Sequence, residues 1–327
     1  MNLPTNFSSS NNQAIVARLR GPLVPVMPAF GPNEALDLES TCRWIDSLID
    51  RGIRLFWTTY GTSHFMTLSD EELLELTRAV AAVTRGRATF IASTAFHWST
   101  QRCIEFTQFA AECGVDIVKL QVDWRWLPSE DLVFEHYRKI AEASPLPLFA
   151  YTLAQPGLTG GMSVRLLERI LELPQFVGFK NDTGDFYEQT AYLAAIRKGG
   201  RPFAAMTGGS MESFLHGHEF GATAFAVALG MIAPELTLRF ADHLDKGERE
   251  AALQIVREIE QPTSRLFGSF YYLSHWAAYH NVLHLRGHFK SDQLRFPLRT
   301  LGPEAASQIR AHLETPNIIQ SLSPHPR

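Results

Sequence analysis

The sequence predicts an α/β protein built as a (β/α)8 TIM barrel with a C-terminal helical appendage. Three observations lead there. Eight short apolar runs alternate with eight longer amphipathic ones, at a spacing of roughly 25 to 30 residues. The short runs are mostly apolar throughout, as strands covered on both faces must be. Together they fill about 20–245, the size of eight βα units. A doubly wound open sheet also fits the alternation. However, no G-x-G-x-x-G follows the first run, so a dinucleotide-binding sheet has no support.

Residues 1–19 are polar and Ser/Asn-rich and read as a flexible N-terminal arm. The strand candidates follow as Leu23–Pro28, Leu55–Thr59, Ala88–Ser93, Ile117–Gln121, Leu146–Tyr151, Phe176–Lys180, Phe203–Thr207 and Ala222–Ala226. Helix starts stand between them. Leu38-Glu39-Ser40 opens the first, and Ser69 with Glu72 three residues later forms a capping box. Ser129-Glu130-Asp131, Ser163 and Asp185 open later ones. Residues 20–245 are thus the predicted barrel. Residues 246–327 show helical periodicity only, in Ala251–Glu260, Leu266–Leu285 and Pro303–Leu313.

Composition narrows the function classes. Of 327 residues, 45% are hydrophobic and 20% charged, which excludes a disordered or coiled-coil chain. Thirty Lys and Arg against 34 Asp and Glu leave a net charge of -4, no footprint for nucleic acid or an anionic membrane. The longest apolar run, Ala224–Ala233, falls short of the ~20 residues that span a bilayer. The opening residues show no basic segment followed by an apolar one, so no secretory signal is expected. Cys42, Cys103 and Cys113 lie in helical stretches without CxxC spacing, which fits a reducing, cytoplasmic setting. The expected partner is a small molecule.

In such a barrel the active site lies at the C-terminal ends of the strands. Lys180 ends the sixth strand behind two aromatic residues. Desolvation there would leave a neutral amine able to attack a ketone, although a lysine reaching into water explains the same position. Tyr151 ends the fifth strand, where a phenol could pass protons or simply pack at the rim. Gly61-Thr62-Ser63 follows the second strand, and such a turn can close on a carboxylate. Thr207-Gly208-Gly209-Ser210 starts a helix after the seventh strand, either as an anion site or as a plain capped turn. Trp124-Arg125-Trp126, after the fourth strand, could be a cation–π lid or interface packing. His280 and His284 lack the Glu of HExxH, and His216 and His218 do not share a helix face, so no metal is expected.

With those positions fixed, the chain resembles the dihydrodipicolinate synthase/N-acetylneuraminate lyase family of class I aldolases and dehydratases, from about Gly21 to Leu313. The lysine segment Gly178-Phe179-Lys180-Asn181-Asp182-Thr183-Gly184-Asp185 matches the family pattern G-[IF]-K-[ED]-x-x-G-D. The site loop appears as Tyr60-Gly61-Thr62-Ser63-His64-Phe65-Met66-Thr67-Leu68-Ser69-Asp70-Glu71-Glu72, and Arg295-Phe296-Pro297-Leu298 is similar to an R-x-P-[LM] segment. The resemblance implies an imine on Lys180, proton transfer by Tyr151, no cofactor, and a homotetramer or homodimer.

Three departures stand out. Gly61 replaces the loop's first threonine, a proton relay. Arg125 replaces the synthase's second tyrosine. The arginine that holds the synthase's second substrate is missing from the segment after Tyr151. Segment lengths are most similar to the 5-dehydro-4-deoxyglucarate dehydratase branch. The expectation is a Schiff-base lyase, dehydratase or aldolase, for a 2-keto acid such as a 2-keto-3-deoxy sugar acid. In it Thr62 and Ser63 hold C1, Gly208 and Gly209 line the site, and Arg125 meets the distal carboxylate. A barrel that binds a keto acid as a sensor or assembly partner is the alternative.

Overall fold

Eight parallel strands close into a barrel. They are β1 (Gly21–Pro25), β4 (Leu55–Trp57), β5 (Thr89–Ser93), β6 (Ile117–Lys119), β7 (Leu148–Thr152), β8 (Phe176–Asn181), β9 (Ala204–Thr207) and β10 (Ala224–Ala226). Each pairs with the next, and Gly21 of β1 meets Ala224 of β10 to complete the circle. This is a computed structural model, and it describes residues 9–122, 129–152, 162–270 and 274–315. Outside the strands run α2 (Leu38–Asp50), α3 (Asp70–Thr84), α4 (Thr100–Cys113), α5 (Glu130–Ala143), α6 (Val164–Ile170), α7 (Phe186–Gly199), α8 (Met211–Glu219) and α9 (Pro234–Asp245). Six of their starts are ones the sequence marks; those of α4 and α9 are not. Ser69 forms a full capping box with Glu72, while Ser99, Ser129, Ser163, Asp185 and Ser210 each accept a backbone N–H of the first turn. α2 opens at Leu38 as read, with Asp37 as its cap.

The barrel interior is filled by Leu23, Leu55, Trp57, Ile91, Ile117, Phe149, Tyr151, Val177 and Met206. A larger apolar layer, with Trp44, Phe56, Phe90, Phe106, Phe176 and Phe225, lies between strands and helices. Gly178 is required by the interior packing. A Cβ there would stand 2.2 Å from Phe149 Cε2, so the glycine lets that ring fill the barrel.

Two features depart from the sequence reading. The predicted arm includes a helix, α1 (Ser9–Ala17). Its Ile15, with the following Leu19, joins the interior cluster, and Asn12 Nδ2 donates to the Pro174 carbonyl just before β8. The open N-terminal end of a barrel exposes apolar side chains, and this helix covers them. A small antiparallel hairpin, β2 (Ala29–Phe30) with β3 (Leu36–Asp37), follows β1; two-residue strands leave no readable period. Among the described residues, no helix is long and apolar enough to cross a membrane.

The C-terminal helices are α10 (Arg249–Ile255), a π-helical turn (Val256–Glu260), α11 (Gln261–Ser269), α12 (Ser274–Leu285) and α13 (Pro303–Leu313). Their connection is anchored by Arg295. Its guanidinium pairs with both Glu72 carboxylate oxygens at 2.6 Å and donates to the Thr67 and Glu34 carbonyls. Glu72 is also the capping-box residue of α3, so one arginine ties the C-terminal segment to the end of the loop before α3. Truncation by Arg295→Ala leaves Glu72 half-buried without its partner, at a cost of about 2–3 kcal/mol. Thermal unfolding should show a lowered Tm, whereas an unchanged Tm would mean the pairing is idle.

Candidate active site

Lys180 sits at the C-terminal end of β8, in register with Tyr151 of β7 on one side and Met206 of β9 on the other. Its side chain is 5% exposed and its Nζ pairs with Asp182. The Tyr151 hydroxyl donates to the other Asp182 oxygen at 2.8 Å. One carboxylate therefore bridges the amine and the phenol. Burial pushes the Lys180 pKa down, and the Asp182 charge opposes that shift. Burial, the Asp182 charge and the hydrogen bond all push Tyr151 well up, so its phenol keeps its proton.

Asp182 did not stand out in the sequence. The signal was there: residues two apart on a strand share a face, so the acid falls beside Lys180. Gly208 makes room for the pair, because a Cβ there would stand 1.6 Å from Asp182 Oδ1 and 2.5 Å from Lys180 Nζ.

A second lysine shares the chamber. Lys119 ends β6, is 0% exposed, and its Nζ has no hydrogen-bond partner among the described residues. It lies 3.9 Å from the Trp57 ring and 4.6 Å from the Tyr151 ring; Lys180 Nζ lies 4.6 and 5.2 Å from the same two rings. Burial, then the Lys180 charge, push the Lys119 pKa well below the usual lysine value. Sequence reading passed over it inside an apolar strand, although a lone charge on an inward position was the available signal.

The loop after β4 supplies the anion side. Ser63 is fully buried; its hydroxyl donates to the Val26 carbonyl and accepts from the Thr59 N–H, and its own N–H bonds to the Thr59 carbonyl. Its donors are therefore spent. The N–H groups of half-buried Gly61 and Thr62 have no acceptor among the described residues, so the free pair lies one residue earlier than expected. Gly61 is glycine because Trp276 of α12 lies where its Cβ would be, at 2.7 Å.

This chamber can be set beside known proteins. Residues 18–315 match the model of the dihydrodipicolinate synthetase family. The chain belongs to that family. It is 26% identical over 296 residues to a DapA-like lyase of Halobacterium salinarum, covering 90% of this chain and 93% of that one. It is 24% identical over 254 residues to a probable 5-dehydro-4-deoxyglucarate dehydratase of Streptomyces avermitilis, covering 76% and 75%. The crystal structure of dihydrodipicolinate synthase from Oceanobacillus iheyensis superposes with a TM-score of 0.83 at 19% identity, over 94% of this chain and 99% of that one. That last likeness is one of fold.

In this dihydrodipicolinate synthetase family member the N-terminus of α8, which follows Gly208-Gly209-Ser210, is already capped by a carboxylate. The Glu260 carboxylate, from the π-helical turn, accepts the N–H groups of Met211 and Glu212 at the N-terminus of α8. The Gly208 N–H bonds to the Asn181 carbonyl, and the glycine serves the site by its lack of a side chain. His64 is buried against Phe30 and Trp276, with its Nε2 3.1 Å from that of His280. Burial lowers the His64 pKa to about 3 and holds that of His280 well below its usual value, so both are neutral. His284 faces the Phe289 carbonyl. Among the described residues no group of three or more His, Cys, Asp or Glu could hold a metal. Arg125, with Trp124 and Trp126, lies outside the described residues.

Glu260 generates a stability prediction. Burial raises its pKa to about 7, against 4.5 in the unfolded chain. The folded state then binds the proton more tightly. Stability is fully present below about pH 4.5 and is lost as pH rises through about 7, by ~2–3 kcal/mol. Glu260→Gln should remove that part of the slope in denaturation measured from pH 5 to 8. Parallel profiles for the two proteins would show that Glu260 does not titrate there.

Proposed function

We propose that this chain is a Schiff-base lyase that dehydrates or cleaves a 2-keto acid, with a 2-keto-3-deoxy sugar acid as the substrate class. The observation that carries the reading is the buried Lys180–Asp182–Tyr151 bridge at the barrel mouth. The neutral Lys180 amine attacks C2 of the keto acid, the carbonyl oxygen leaves as water, and an iminium forms. Tyr151 supplies and recovers protons, with Asp182 as the carboxylate behind it. The iminium draws electrons from C3. A base takes the C3 proton and the C4 hydroxyl, protonated, leaves as water; or a base takes the C4 hydroxyl proton, the C3–C4 bond breaks with C4 becoming a carbonyl, and C3 is reprotonated. Water then hydrolyses the imine and frees Lys180. Gly61 and Thr62 N–H groups receive the C1 carboxylate. No cofactor is required.

The 5-dehydro-4-deoxyglucarate dehydratase among the relatives supports the sugar-acid class. Arg125 is the partner we assign to a distal carboxylate, on its sequence position alone. A homo-oligomer, tetramer or dimer, fits the exposed aromatic pair Phe186 and Tyr187 at the start of α7. Asp182 also weakens the sensor alternative, because the chamber that lacks the loop threonine has an acid–base group of its own.

Incubation with pyruvate and borohydride should add one reduced pyruvyl group, mapped by peptide mass to Lys180. Lys180→Ala should abolish it, and Lys180→Arg should too, because a guanidinium stays protonated. An adduct that survives in Lys180→Ala would sink the assignment, and a panel of sugar-derived keto acids then identifies the substrate by turnover. Trapping without turnover across the panel would favour the sensor.

Tyr151→Phe removes only a hydroxyl. The variant should fold normally and lose ~10²–10⁴-fold in kcat, with little change in KM. Full kcat in that variant would move proton transfer to another group.

A further inference from the structure

Lys119 is the feature that the lyase reading leaves unused. A fully buried lysine ordinarily has a carboxylate or several acceptors around its nitrogen. Among the described residues Nζ has none, while the neighbouring Lys180 pairs with Asp182. Both amines lie over the Trp57 and Tyr151 rings, in one chamber. Among the described residues, the titratable groups facing Lys119 are Tyr151 from β7, with Lys180 and Asp182 from the end of β8. Trp57 of β4 and Ser93 of β5, its register partner, carry no charge. Two ammonium ions in so dry a space repel each other. The carboxylate decides which one keeps its proton: Lys180 rests as the ammonium and Lys119 as the free amine.

Such a division poses a chemical problem. The residue that must attack the keto carbon is the protonated one. Asp182 is a poor acceptor for that proton, because carboxylates are ordinarily far weaker bases than amines. Transfer to an amine, even one made less basic by burial, is a smaller climb than transfer to a carboxylate.

Resting on the assignment of the imine to Lys180, we propose that Lys119 is the proton acceptor that frees the Lys180 amine for attack. The steps balance. Lys180 ammonium gives one proton to the Lys119 amine. The Lys180 lone pair forms the N–C2 bond while the carbonyl π pair moves to oxygen, and Tyr151 relays the proton from nitrogen to oxygen. The Lys119 ammonium then protonates the carbinolamine hydroxyl, which leaves as water. Lys180 ends as the iminium and Lys119 as the free amine with which it began. It is a second catalytic lysine, acting as base and then as acid.

The test follows pyruvate trapping by borohydride over time, from pH 6 to 10, in the wild type, Lys119→Met and Lys119→Arg, with each adduct mapped by mass. Wild-type trapping at Lys180 should be near its maximum by pH 7. Lys119→Met should form the same adduct ~10²-fold more slowly at pH 7, with the gap closing toward pH 10 as solvent takes over deprotonation. Lys119→Arg should be as slow as Lys119→Met, since a guanidinium accepts no proton.

Recovery of the rate in Lys119→Arg would overturn the proposal in favour of a purely electrostatic role. So would an unchanged rate in Lys119→Met, or a raised half-saturating pyruvate concentration at an unchanged limiting rate, the mark of a carboxylate anchor. Should the variants misfold, the wild type alone still decides. A trapping rate that climbs tenfold per pH unit up to pH 10 would mean that solvent frees Lys180 and Lys119 does not. Absence of any wild-type adduct at Lys180 is a different failure, that of the lyase reading itself.

Discussion

A lysine carried to the end of a buried strand can remain charged only beside a carboxylate, and the mouth of this barrel is arranged around that requirement. Asp182 meets it. The same carboxylate then takes the Tyr151 hydroxyl, which fixes the phenol as a donor and raises its pKa. Gly208 follows as well, since any side chain there would occupy the space of Asp182 and Lys180. Desolvating an ion pair is costly unless every remaining polar valence finds a partner. Here the second Asp182 oxygen finds the phenol, and the amine finds two ring faces.

The C-terminal helices belong to the same construction. Trp276 of α12 lies against Gly61, Glu260 caps α8, and Arg295 holds the start of α3 through Glu72. A boundary near residue 245 marks where the βα rhythm stops, but three contacts carry the later segment back to the barrel mouth. Gly61 shows the consequence most directly. A threonine at this position, as the family resemblance leads one to expect, would bring its Cβ against the tryptophan, so packing holds the position to glycine.

The barrel was legible because its signals are local. Apolar runs of constant spacing and serine or aspartate caps need no tertiary context, and the strand ends fell within two or three residues of those read. Lys180 and Tyr151 were legible for the same reason: each ends a strand. Other features depend on three dimensions. α1 looks polar in sequence, and only the open barrel end gives Ile15 and Leu19 something to cover. Ser63 looked like a ligand-binding hydroxyl until Val26 and Thr59 were found using it. Glu260 reads as an ordinary helix-face charge and sits 49 residues from the N–H it accepts. Asp182 and Lys119 could have been found by face alternation, because each lies two residues from an inward-facing neighbour.

These placements shift where proton chemistry occurs in this member of the family. With Gly61 lacking a hydroxyl, the Ser63 hydroxyl committed to backbone and His64 buried against Phe30 and Trp276, the β4 loop retains two N–H groups with no acceptor among the described residues. Among the described residues, the titratable groups that meet around Lys180 lie on β6, β7 and the end of β8: one carboxylate, one phenol and two amines. On the proposed reading, a carboxylate received at Gly61 and Thr62 would lie across the barrel mouth from Lys180, since β4 and β8 stand on opposite sides of the closed barrel. That separation of anion binding from proton transfer is the geometric demand of imine chemistry on a 2-keto acid, where C1 must stay fixed while C2 and C3 change bonding.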